Sequence, residues 1–313
     1  MHIPLESTIT GAYRFGSTNY LAILGIAWLP FLLFMVGAVL LVVSMVPELG
    51  GLMATGSDRW EQSQVSAVVF SILGKSVLVL VLLLLAFAMV TAGLMRKALG
   101  QDFEAGFFYF SLGRQTWRMV GAYVLLLLQA MAFVIAYSLG VGLVSLFLAR
   151  ISTALQGLAT TLLILGGLGF GLYAFVRAQF FLPAIIVAEH HIGIRRSWHL
   201  GRGNFWRIIG IVFSVSFPAY IVFTVLYSIV LQLALSGQSI PIVGLTPGRL
   251  TPEEFRHYFS AWLAAVRGVL PVLALLQLLY MVAVTGLSAG AVATAYNHVT
   301  GHDRPSDPTR ASA

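Results

Sequence analysis

The chain contains no cysteine, which excludes disulfides, thiol catalysis and cysteine-ligated metals. It is also poor in charge: 9% of its 313 residues are Asp, Glu, Lys or Arg, against about 25% in soluble domains. With 59% of residues hydrophobic, too little polar side chain remains to cover a water-soluble fold. Period-two alternation is missing as well, which excludes the strands of a membrane barrel. Finally, the first residues, MHIPLESTITGAYRFG, lack the basic start, short apolar core and small-residue cleavage site of a removable signal. The first apolar segment is therefore expected to stay in the mature protein.

What is present is a set of charge-free runs: 16–47, 76–95, 119–149, 151–176, 208–248 and 268–302. Each reaches the roughly 20 residues that cross a bilayer as helix. Backbone groups in lipid must be satisfied within the segment, so these runs read as helices. The expected fold class is an all-α membrane protein of six transmembrane helices. The spans fall at about 20–46, 67–95, 119–148, 154–176, 205–235 and 268–296. Pro30 is expected to kink the first, and residues 47–66 to form a polar loop. Lys75 either snorkels to the far interface or is a buried functional lysine. Residues 301–313 have no apolar face and read as a disordered tail.

Six spans put both termini on one side. That side then holds Arg14, Arg96, Lys97, Arg114, Arg118, Arg177, Arg195, Arg196, Arg202, Arg207, Arg304 and Arg310, twelve of the 18 basic residues. The positive-inside rule makes this side cytoplasmic. The net charge of +7 is thus mainly a topology signal. Its natural partner is an anionic leaflet, not a nucleic acid.

Residues 11–27 align without a gap on 196–212. Gly16, Asn19, Ile23, Gly25 and Ile26 match Gly201, Asn204, Ile208, Gly210 and Ile211. A middle copy, Leu112-Gly113-Arg114 with Trp117, Arg118 and Gly121, matches Leu200-Gly201-Arg202 with Trp206, Arg207 and Gly210 after one deletion. The reading is three parallel units, about 1–100, 101–190 and 191–300, each an interfacial helix followed by a two-span hairpin. In each turn the glycine is expected to end the surface helix in a left-handed conformation, and a Ser, Thr or Asn to cap the next. The third copy is the fullest, with Trp198, Gly201, Asn204 and Trp206 as its turn residues. The pairs Gly167/Gly171 and Gly286/Gly290 have the spacing that lets helices approach closely. Gln129 and Gln277 are expected to hydrogen-bond between helices.

At 176–207 the residues resemble a known family. Val176-Arg177, Leu182-Pro183-Ala184-Ile185-Ile186-Val187, Glu189 and the run Ser197-Trp198 to Trp206-Arg207 are similar to the membrane domain attached to some bacterial glycerophosphodiester phosphodiesterases. They are equally similar to its stand-alone relatives among bacterial membrane proteins. The family has a threonine where this chain has Gly201. The resemblance implies a multi-pass bundle in the bacterial inner membrane and supplies no activity. The phosphodiesterase chemistry of that family belongs to a separate barrel domain, for which these 313 residues are expected to leave no room.

Arg177, Glu189, Arg195, Arg196, Arg202 and Arg207 form a cationic cluster with one acid. It reads either as topology plus a Glu189–arginine tether or as a pocket for an anionic phospholipid headgroup. Adjacent His190 and His191 diverge by about 100° on a helix and chelate poorly. Gly286-Leu287-Ser288-Ala289-Gly290 fits G-x-S-x-G, but within an apolar helix, with His298 at the membrane edge, it lacks the setting that motif needs. No catalytic residue, cofactor or metal is expected. The leading expectation is non-enzymatic organisation or sensing of anionic lipid, or a scaffold for a protein partner. The alternative is a transporter or permease-like subunit, which predicts a polar cavity near the midplane.

Overall fold

The computed structural model describes residues 2–54, 62–101, 109–236, 264 and 267–301. They form α1 (Leu5–Thr18), α2 (Tyr20–Ala54), α3 (Gln62–Ala98), α4 (Arg114–Ala149) and α5 (Thr153–Gln179). Then come α6 (Leu182–Ala188), α7 (Ile194–Leu200), α8 (Phe205–Leu235) and α9 (Leu270–Thr300). No strand occurs among the described residues. Six helices are long and apolar enough to cross a membrane: α2, α3, α4, α5 together with α6, α8 and α9. The chain is an all-helical, multi-pass membrane protein. The sequence also predicts a surface helix from Thr251, with Phe255, Phe259, Trp262, Leu263 and Val266 on its apolar face; those residues and the tail after 301 lie outside the described residues.

The spans pair as antiparallel hairpins. In α2 and α3, Phe31 meets Phe87 edge-on at 5.2 Å and Lys75 reaches Glu48 at 2.7 Å. In α4 and α5, Gly167 lies under the Tyr137 ring, whose hydroxyl donates to the Leu163 carbonyl. Gly171 faces Phe133, so this small-residue pair serves packing inside the hairpin. In α8 and α9, Phe223 meets Tyr280 at 5.3 Å.

Helix α1 packs along the second half of α9, running the opposite way. Ser7 meets His298, Gly11 faces Thr294, and Phe15 and Ala12 lie on Gly290. A Cβ at Gly290 would stand 3.2 Å from the Ala12 Cα, so any larger side chain there must push against the α1 backbone. The helical spacing of Leu5, Ile9 and Ala12 predicts an apolar face for the N-terminal segment, and the buried face is shifted from it, with Ile9 half-buried. Thr8 and Ala12 are buried while Leu5 is exposed.

Several expectations change. Helix α2 runs through 47–54 instead of ending in a loop at 47, because Glu48 finds partners on α3. Helix α4 begins at Arg114, before the expected 119. The turn glycines are not left-handed caps: Gly16 is inside α1, and Gly201 has φ −75°. The left-handed residue is Gly203, at φ +77°. Neither Asn19 nor Asn204 caps a following helix with its side chain. Asn19 turns back to the Phe15 carbonyl, and Asn204 is engaged elsewhere. Gln129 and Gln277 make no hydrogen bond among the described residues; Gln129 is exposed and Gln277 lines a groove with Tyr280.

Candidate functional site

The arginine-rich segment folds as a compact plug. After α5 the chain turns at Phe180–Phe181, and Pro183 opens α6 at a position where its missing N–H costs nothing. Leu182 to Val187 are all fully buried between α3, α4, α5, α7 and α9. His190, at φ +57°, takes the left-handed conformation that ends α6. Helix α7 then crosses the end of α5, and a Cβ added at Gly201 would stand 3.5 Å from the Arg177 backbone.

The six charged residues expected to form one cluster divide into three groups. Arg177 is 6% exposed and faces inward. Its guanidinium donates to the Tyr173 hydroxyl and, at 2.9 Å, to the Trp198 carbonyl. It also stacks 4.3 Å from the Trp198 ring centroid, a cation–π contact. Ser197 Oγ returns a hydrogen bond to the Arg177 carbonyl at 3.1 Å. Arg177 is therefore a clamp between α5 and α7.

Arg207 is also committed to structure. Its Nη1 donates to the Ile3 carbonyl at 2.9 Å, while Asn204 Oδ1 accepts from the Ile3 N–H at 3.0 Å. Both polar groups of a fully buried residue are thus held by the turn. Glu189 is the hub of the second group. It accepts from Tyr296 of α9 at 3.0 Å and from Arg196 at 3.5 Å, and His191 lies 3.8 Å away. The expected Glu189–arginine tether exists, and its arginine is Arg196.

Arg195 and Arg202 remain. Both are exposed, and the guanidinium of neither has a hydrogen-bond or ion-pair partner among the described residues. With five arginines and one glutamate the segment carries a net +4. Of the turn aromatics, Trp198 is packed on Arg177 and Tyr173, whereas Trp206 is 80% exposed. The sequence pattern placed these residues in one cluster; the fold uses some as glue and leaves other side chains exposed.

Below the turn lies a cavity of about 370 Å³, between α3, α4, the α5–α6 bend, α8 and α9. Its wall is mostly apolar, including Phe87, Met95, Phe180, Ile211 and Val292. The polar groups on it are Thr91, Tyr123, Gln179, Thr285 and Ser288. No charged residue and no histidine is among its lining residues. Ser288 therefore reaches a cavity but meets no histidine there, and His298 is engaged with Ser7.

Two features had no local sign in the sequence: the docking of Ile3 on Asn204 and Arg207, and the cavity. A third had half a sign. Pro218 inside α8 has no N–H, which leaves the Ser214 carbonyl without its helical donor. The Tyr13 hydroxyl supplies one at 2.9 Å.

Comparison of the chain with protein-family models, with curated proteins and with solved structures finds no match.

Proposed function

We propose that this is a non-enzymatic membrane protein that binds anionic phospholipid at its cytoplasmic face, with residues 194–207 as the headgroup site. The observation that carries the reading is the pair Arg195 and Arg202, exposed and unpartnered on a turn whose other arginines are occupied. A guanidinium presents a planar fork of donors that suits phosphate oxygens. Trp206, exposed beside them, has the amphipathic ring favoured at headgroup depth. Placement of this end in the cytoplasm of a bacterial inner membrane, kinship with the phosphodiesterase-linked membrane domain, and descent from three repeats belong to the same proposal. The apolar wall of the cavity favours lipid over the polar substrates that a transporter reading requires.

The test is native mass spectrometry of the full chain extracted from membranes containing phosphatidylglycerol and cardiolipin. Replacing Arg195→Gln and Arg202→Gln together is expected to remove most of the retained anionic lipid. Unchanged retention removes the proposal.

A further inference from the structure

We infer that the cavity beneath the turn receives one acyl chain of a phospholipid from the surrounding leaflet, entering between α5 and α8. This rests on the lipid-binding reading and adds to it a second, chain-recognising site. The position of the mouth is the first argument. Phe175 on α5 and Val212 on α8 line the cavity, yet each is 47% exposed. The other wall residues of α8, Ile208, Ile211 and Val215, are buried. The cavity therefore opens sideways through the apolar flanks of two spans, where the medium outside is hydrocarbon chain and not water.

Its chemistry is the second argument. At about 370 Å³ it lies within the roughly 300–1,000 Å³ range of small-molecule sites. A wall without charge excludes an ionised ligand. Of the polar groups, Tyr123 donates to Thr91 at 3.3 Å and Thr285 to the Met281 carbonyl at 2.6 Å, so these are engaged. Ser288 Oγ and the Gln179 amide line the same space and have no partner among the described residues. Both can donate to a neutral acceptor, and the ester carbonyl at the head of an acyl chain is one. Apolar wall, lateral mouth and two unused donors together describe a site for an esterified chain.

The experiment uses the full chain in phosphatidylglycerol vesicles containing a trace of phosphatidylglycerol with a diazirine on its acyl chain. After photolysis, adducts are mapped by peptide mass spectrometry. Adducts are expected on Met95, Phe180 and Val292, which are buried and beyond the reach of chains that only coat the surface. Val212→Trp or Phe175→Trp, each placing a bulky ring at the half-exposed mouth, is expected to abolish those adducts. Labelling of outward-facing Leu168 and Phe213 should persist in both. Adducts confined to outward-facing residues overturn the inference, as do cavity adducts that both plugs leave unchanged. A choline-headed probe separates the two sites. If it labels the cavity equally well, the chain site stands and the arginine reading loses its selectivity. If the Arg195→Gln/Arg202→Gln variant retains anionic lipid while the plugs abolish cavity labelling, the headgroup site alone fails.

Discussion

The two ends of the bundle are built from different materials. At the end carrying the turns, α2, α3, α4, α8 and α9 each turn one face inward: Ile23, Ile26 and Phe31 of α2, Ala88, Val90 and Leu94 of α3, Met119 and Ala122 of α4, Ile208, Ile211 and Val215 of α8, and Ala291 and Ala295 of α9 are buried around α6. At the other end, buried residues are scarce among those described: Met45, Gly167 and Leu273. There Val39, Leu40, Leu139, Leu143, Leu165, Leu168 and Leu233 are all more than half exposed. Exposed leucine costs nothing in lipid, because hydrocarbon chains are as apolar as the side chain. Close packing in a membrane must come instead from small residues, fitted surfaces and hydrogen bonds. Those are what the closed end has: glycines under side chains, a clamped Ile3 and a stacked Arg177.

The sharpest way to break this comparison is to place the same side chain at a glycine of each end. At Gly290 a Cβ would stand 3.0 Å from Phe15 and 3.2 Å from the Ala12 Cα, and the α1 backbone cannot yield as a rotamer can. Gly290→Leu is expected to destabilise by about 3 kcal/mol, the upper end of overpacking costs. At Gly169 nothing lies within 4 Å of the added Cβ. Gly169→Leu is expected to be neutral or to gain up to about 1 kcal/mol from helix propensity. Reversible unfolding in mixed micelles reads both. Equal losses at the two positions would show that the ends are packed alike.

A smaller effect is expected at the Ile3 clamp. Asn204→Ala leaves a buried N–H unsatisfied, and Arg207→Gln removes a charged donor from a carbonyl. Each is expected to cost about 1–2 kcal/mol. Amide exchange at Ile3 should become fast in Asn204→Ala and stay slow in Arg195→Gln. If Arg195→Gln speeds it equally, the division of the arginines into committed and free is wrong.

The six spans were legible because hydropathy is a local property, and a span of about 20 apolar residues announces itself. The interior of the site was not, because its decisive contacts are distant in sequence. Asn204 looks like a cap until Ile3, 201 residues away, takes its side-chain oxygen. Arg177 looks like a topology charge until Trp198 arrives from α7. Glu48 looks like a loop residue until Lys75 meets it. Proline at 218 marked an orphaned carbonyl, but nothing local named Tyr13 as its donor. In each case composition gave the type of residue needed, and only the fold gave its partner.

The smallest expected effect concerns the open end, where Glu48 and Lys75 join α2 to α3 at 2.7 Å and Ser71 donates to the same carboxylate oxygen at 2.9 Å. At about 1.5 Å per residue, the 28 steps from Tyr20 to Glu48 cover about 42 Å, more than a hydrocarbon core of about 30 Å. The pair therefore sits at the far interface, and Lys75 is held there by a partner instead of only snorkelling. The hydrogen bond from Lys75, then that from Ser71, holds the Glu48 carboxyl below its ordinary 4.5. A carboxyl depressed in the folded state contributes in full above its unfolded value and loses that contribution as pH falls through the folded one. Glu48→Gln should thus be less stable than the parent near neutrality, and the two should converge in acid, below 4.5. The gap should be small, since the pair is partly exposed and screened by salt. Unfolding midpoints followed from about pH 7 to about pH 3 would read it. By contrast, the deficit of Asn204→Ala at the closed end involves no titrating group and should stay level through the same window. A Glu48→Gln deficit that widened on acidification would mean that the carboxylate is strained, not stabilised, where the hairpin is least packed.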